Sequence, residues 1–123
     1  MVDHTPEYAP ILQRAIAAYE GLMELYAQDA ASNPYFKHCL AEASSHRDGL
    51  QQRLANPVYL ANAFTGNYVL SIDHFLESHR GEYGHDMPGA DPIKAEQASH
   101  YLHALKDVMD DIIRVGRALE LGA

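Results

Sequence analysis

The chain has 123 residues, of which 47% are hydrophobic, and its 17 acidic against 9 basic residues give a formal net charge of -8. A single domain of that length buries a real core without disulfides or metal staples. The lone cysteine, Cys39, excludes an intrachain disulfide framework and fits a reducing compartment. The acidic surplus repels nucleic acid and anionic lipid surfaces, so direct DNA or RNA binding is not expected.

No apolar run approaches the roughly 18 residues that span a bilayer. The opening Met1-Val2-Asp3-His4-Thr5-Pro6 has neither the basic nor the apolar region of a signal peptide. These readings predict one soluble, cytoplasmic domain over 1–123, with no membrane partner.

From about Pro6 to Ala30, apolar side chains recur at Tyr8, Leu12, Ala15, Tyr19, Leu22 and Tyr26. Gaps alternating between four and three are those of a buried helical stripe. Ile11, Ile16, Met23 and Leu25 widen it, and Glu20 and Glu24 fall outside it. Ser32, Asn33 and Pro34 then stop the chain and start a second helix, with a capping side chain ahead of a first-turn proline. Its apolar face holds Phe36, Cys39, Leu40, Ala43, Leu50 and Leu54. At about 100° per residue, Arg47 lands near the middle of that face.

Asn56-Pro57 marks the next boundary, because the residue before proline is pushed away from helical geometry. The third segment, to about Arg80, places Ala61, Phe64, Tyr68, Ile72 and Phe75 on one face with Val69 and Leu76 beside them. Gly66, within Thr65-Gly66-Asn67, costs about 1 kcal/mol relative to alanine in a helix interior, so a kink or break is expected there. Residues 81–92 are too rich in glycine, proline and aspartate for regular structure and form the longest loop. Asp91-Pro92 caps a last helix with Ala98, Tyr101, Leu102, Leu105, Val108, Met109, Ile112 and Leu119 on its apolar face. Gly116 reads as a site of close approach and Gly122 as the stop. Four amphipathic segments without strand alternation predict an all-α fold, an antiparallel up-down four-helix bundle. The inward tyrosines read as core rings whose hydroxyls reach the rim.

Eight histidines raise the question of chemistry, since imidazole is the commonest metal ligand and titrates near neutrality. Several lie four residues from a carboxylate, including His38 with Glu42. On the last helix, Glu96, His100, His103 and Asp107 form a stripe opposite the apolar one, facing water. They are candidate ligands for a transition metal, Zn or Fe, and a symmetric dimer would complete such a site. A buried dinuclear centre needs inward carboxylates and histidines from facing helices, which the first helix does not supply. On the core side, His46, Arg47, His79, Tyr68 and Tyr101 are candidates for lining a polar pocket. A charge at Arg47 needs an acidic partner such as Asp73, or an anionic ligand. Cys39 reads as a small buried hydrophobe.

No phosphate-binding loop, dinucleotide fingerprint or nucleophile elbow occurs. An enzyme is therefore not the leading expectation. That expectation is an acidic interaction module, an adaptor, regulator or inhibitor of a protein partner that needs no cofactor. Tyr59 and Leu70, outside the predicted core, suit a partner surface or homodimer. The alternatives are a metal-binding His/carboxylate bundle and a small-molecule pocket around Arg47 and His79.

Overall fold

The computed structural model describes residues 5–55, 62–79, 81–85, 87 and 89–122. The expectations for His4, the Asn56-Pro57 boundary, Tyr59, Ala61 and Arg80 lie outside them, as does that for the side chain of Phe64. Four helices make up the fold: α1 (Thr5–Ala30), α2 (Pro34–Ala55), α3 (Asn62–Ser78) and α4 (Pro92–Gly122). No helix among the described residues is long and apolar enough to cross a membrane.

The helix starts follow their capping chemistry. Asn33 Oδ1 accepts the Tyr35 amide at 3.0 Å ahead of Pro34, satisfying one of the amides that a helix leaves unpaired at its N-terminus. Asp91 Oδ1 does the same for α4, taking the amides of Ile93 at 3.0 Å and Lys94 at 3.2 Å. Thr65-Gly66-Asn67 lies within α3, which continues as one helix from Asn62 to Ser78.

α1 is the spine of the core. Its predicted stripe, Tyr8, Leu12, Ala15, Tyr19, Leu22 and Tyr26, is 0–1% exposed throughout. α1 packs against both α2 and α4, and α4 also carries α3. The two-residue turn at Ala31-Ser32 sends α2 back along α1, and these contacts fit the up-down arrangement. Phe36, Cys39, Ala43 and Leu50 on α2, Ile72 and Phe75 on α3, and Ala98, Leu105, Val108 and Ile112 on α4 close the core. Full burial of each larger apolar side chain contributes about 1.5–3 kcal/mol.

Two local readings are corrected. The close approach expected at Gly116 occurs at Gly21: a Cβ there would lie 2.2 Å from the Tyr101 ring, whereas one at Gly116 would rest 3.6 Å from Tyr8 Oη. The hydroxyls of Tyr19, Tyr26 and Tyr68 do not reach the rim; those of Tyr19 and Tyr68 are buried without hydrogen-bond partners, and that of Tyr26 is buried beside Glu82.

α2 and α3 stand further apart than the other neighbours and meet through side chains. His46 faces Ser71 and Phe75, and Glu42 faces His79. Polar groups therefore enter the bundle along this seam.

Candidate metal centre

Three segments build the site. Cys39 lies on the buried face of α2, between Phe36 and Ala43. His79 follows the last residue of α3, and its amide still donates to Phe75 O at 3.1 Å, so the helical turn aims the imidazole inward. Glu82 comes from the loop. Gly81 (φ 69°) and Tyr83 (φ 63°) are both left-handed, a conformation free for glycine and uncommon for tyrosine. The Tyr83 ring explains why it is held there: it stacks on Phe36 at 4.3 Å, and its hydroxyl donates to Leu25 O at 3.4 Å. The Asp91 amide donates to Tyr83 O at 3.0 Å, closing the loop. With Tyr83 fixed, Glu82 is held inside and is 3% exposed.

Glu82 Oε1 collects three neighbours. It accepts from Cys39 Sγ at 3.3 Å and Tyr35 Oη at 3.4 Å, and it contacts His79 Nδ1. Its other oxygen, Oε2, is buried without a partner. His79 Nε2 lies 2.9 Å from Glu42 Oε2, and Glu42 Oε1 lies 2.5 Å from His38 Nε2 on the surface. One continuous file of polar groups thus runs from Cys39 through Glu82, His79 and Glu42 to exposed His38.

Burial alone would depress the His79 imidazolium, but hydrogen bonds and charge from Glu82 and Glu42 outweigh it and the net shift is upward. Burial works against the Glu42 carboxylate, yet its bond to His79 and the charges of His79, His38 and His46 pull it below its ordinary range. The Cys39 thiol is pushed up by burial first and then by Glu82. A thiol so raised is a poor nucleophile and stays protonated unless a cation replaces the proton.

Cys39 Sγ, a nitrogen of His79 and a carboxylate oxygen of Glu82 all lie within 4.8 Å of one another, and all three residues are buried. Sulfur, nitrogen and oxygen donors together suit a borderline transition metal such as Zn²⁺. Glu42 completes the pattern, since metal-bound histidines almost always give their second nitrogen to a carboxylate or carbonyl.

The residues singled out from sequence are dispersed. Glu96, His100, His103 and Asp107 sit on the exposed face of α4, where His103 Nδ1 is 2.8 Å from Ser99 O and His100 lies edge-on to Tyr101. Among the expected pocket residues, His46 and Tyr68 line one cavity. Arg47 lies outside it and reaches Asp48 at 2.7 Å and Glu20 at 3.2 Å instead of Asp73. Tyr101 covers Gly21 on the α4 side, and His79 joins Cys39 and Glu82. Sequence reasoning missed Glu82, Tyr35 and the inward turn of Glu42. The available signal was His79 on the core side, three residues before Glu82, in a loop that also spends a tyrosine.

Comparison with protein-family models, curated proteins and solved structures found no match to the chain.

Proposed function

We propose that this protein is a metal-binding helical bundle in which Cys39, His79 and Glu82 hold a divalent transition metal ion, with zinc the best fit to the donor set. The observation that carries this reading is the convergence of three different ligand types, each 0–3% exposed, from α2, the end of α3 and the following loop. A buried carboxyl with one unpartnered oxygen is costly in a metal-free protein, and a cation offsets that cost. Binding exchanges the thiol proton for the metal, because the thiolate is the ligand. Burial of all three ligands, at 0–3% exposure, favours an ion that stabilises or senses.

The test is elemental analysis of protein purified without a polyhistidine tag, followed by Co²⁺ loading. One equivalent of metal and a sulfur-to-cobalt charge-transfer band that Cys39→Ser abolishes are expected. Protein free of bound metal, with the same melting temperature in Zn²⁺ as in chelator, would sink the reading.

A second reading is supported by the surface. Leu70 and Ile93 are 68% and 72% exposed on an acidic chain, which favours an interaction module that docks a protein partner or a second copy in the cytoplasm, where one reduced cysteine is at home. Native mass spectrometry tests the homodimer. A monomer at all concentrations, unchanged by Leu70→Glu, would remove it.

A further inference from the structure

The Tyr35 phenol touches the centre without belonging to its ligand set. Tyr35 stands in the first turn of α2, four residues before Cys39, so the two side chains share one face of the helix. Three contacts hold it in place. Asn33 Oδ1 takes its amide at 3.0 Å, its ring lies edge-on to Phe36 at 5.2 Å, and its hydroxyl donates to Glu82 Oε1 at 3.4 Å. The same hydroxyl bonds the Cys39 sulfur. Phe36 in turn carries the ring of Tyr83, the residue after Glu82, at 4.3 Å. One phenol therefore meets two of the three proposed ligands, one from α2 and one from the loop, and packs on the ring that anchors that loop.

Loading the centre changes what those two ligands require of their neighbours. In the metal-free protein the Cys39 thiol donates to Glu82 Oε1 at 3.3 Å. Metal binding releases that proton to solvent and leaves a thiolate, which accepts hydrogen bonds and has none to give. His79 supplies no donor to the sulfur, because its two nitrogens face Glu82 and Glu42. The Tyr35 hydroxyl is already beside both sulfur and carboxylate. A phenol keeps its proton at neutral pH, and the two anions next to it disfavour a third negative charge. Tyr35 is thus suited to donate to the ligands and ill suited to be one.

We infer that Tyr35 is a positioning residue of this centre, its hydroxyl donating to the Cys39 thiolate when the ion is bound and keeping α2 and the loop in register. The inference rests on the metal reading above. Hydrogen-bond partners of metal ligands typically change affinity by 10–100-fold when they are removed.

The test compares the full chain with Tyr35→Phe, which keeps the ring and its packing on Phe36 and deletes one oxygen. Zn²⁺ affinity is measured by competition with a chromophoric chelator, the Co²⁺ spectrum is recorded, and melting temperatures are taken in Zn²⁺ and in chelator. The variant should still bind one equivalent, with affinity lower on the order of 10- to 100-fold. Its sulfur-to-cobalt band should move to longer wavelength, because a thiolate that loses a hydrogen bond gives up an electron more readily. A merely structural role would lower the melting temperature equally in Zn²⁺ and in chelator and leave the band in place, and that result overturns the inference. So does a visible phenolate-to-iron band in Fe³⁺-loaded parent that the variant lacks, which would make Tyr35 a ligand. Metal held equally tightly by parent and variant, with identical bands, removes the role of Tyr35 alone. Failure of both proteins to bind metal removes the metal reading and this inference together.

Discussion

Replacing Glu82 by glutamine in metal-free protein isolates what the buried carboxylate contributes. Its side chain is 0% exposed, and it faces His79, the Cys39 thiol and the Tyr35 hydroxyl at once. Removing one partner of a buried charged pair costs about 3–5 kcal/mol, mostly by stranding the other. Here the cost is reduced, because His79 keeps Glu42 at 2.9 Å and the glutamine keeps an acceptor oxygen. A loss of about 2–3 kcal/mol is expected. Glu42→Gln changes a carboxylate that is 30% exposed, and pairs of that kind are worth about 1 kcal/mol or less. Urea unfolding followed by far-ultraviolet circular dichroism, at neutral pH in chelator, gives both values. At about 3–6 °C per kcal/mol for a chain of this size, the Glu82 variant should melt on the order of 10 °C below the parent. Equal losses for the two variants, or a Glu82→Gln protein as stable as the parent, would refute the assignment of Glu82 as the buried anchor of this pair.

Gly21→Ala should change sign with its neighbour: with Tyr101 in place the new Cβ collides with the ring and costs about 1–3 kcal/mol against a helix-propensity gain of about 1. In a Tyr101→Leu background only the gain should survive, and a double-mutant cycle in urea that shows no coupling would count against the contact. His46 should weaken the fold in mild acid. Burial holds its imidazolium below the ordinary range, helped by His79 and His74 and opposed by Glu42, while Tyr19, Ser71 and Phe75 pack around the ring. The unfolded chain takes that proton more readily, so this contribution is intact above the unfolded value of about 6.5 and is lost as pH falls below it. Melting temperatures from neutral to mildly acidic pH should fall more steeply for the parent than for His46→Asn, and parallel curves would contradict the reasoning. Asp91→Ala removes the acceptor for the Ile93 and Lys94 amides and should cost about 1 kcal/mol by thermal unfolding; no loss would mean that the cap is dispensable.

The bundle was legible because helical burial is periodic. The α1 stripe from Tyr8 to Tyr26 and the caps at Asn33 and Asp91 are local signals, readable without knowing what packs against them. The candidate site was half legible for the same reason. Cys39 and His79 lie on the core sides of their helices, where periodicity placed them, whereas Glu82 stands in a loop that has no period to read. Its burial depends on Tyr83 finding Phe36, a contact across 47 residues of chain. Arg47 shows the converse: periodicity put it near the middle of the apolar face, yet it is only partly buried and pairs with exposed Asp48, next in sequence, and Glu20 on α1, a choice that depends on how α2 is rotated against α1.

The connection between α3 and α4 also bears on how this chain can be altered. Joins between helices are usually where a protein accepts a tag, a fused domain or new chain ends. This one is different, because Tyr83 packs against both Phe36 and Tyr26 and the next residue back supplies the buried carboxyl. A cut or insertion between Gly81 and Gly84 would pull a plug from the core and a ligand from the centre together. The exposed turn at Ala31-Ser32 is the place to open the chain instead.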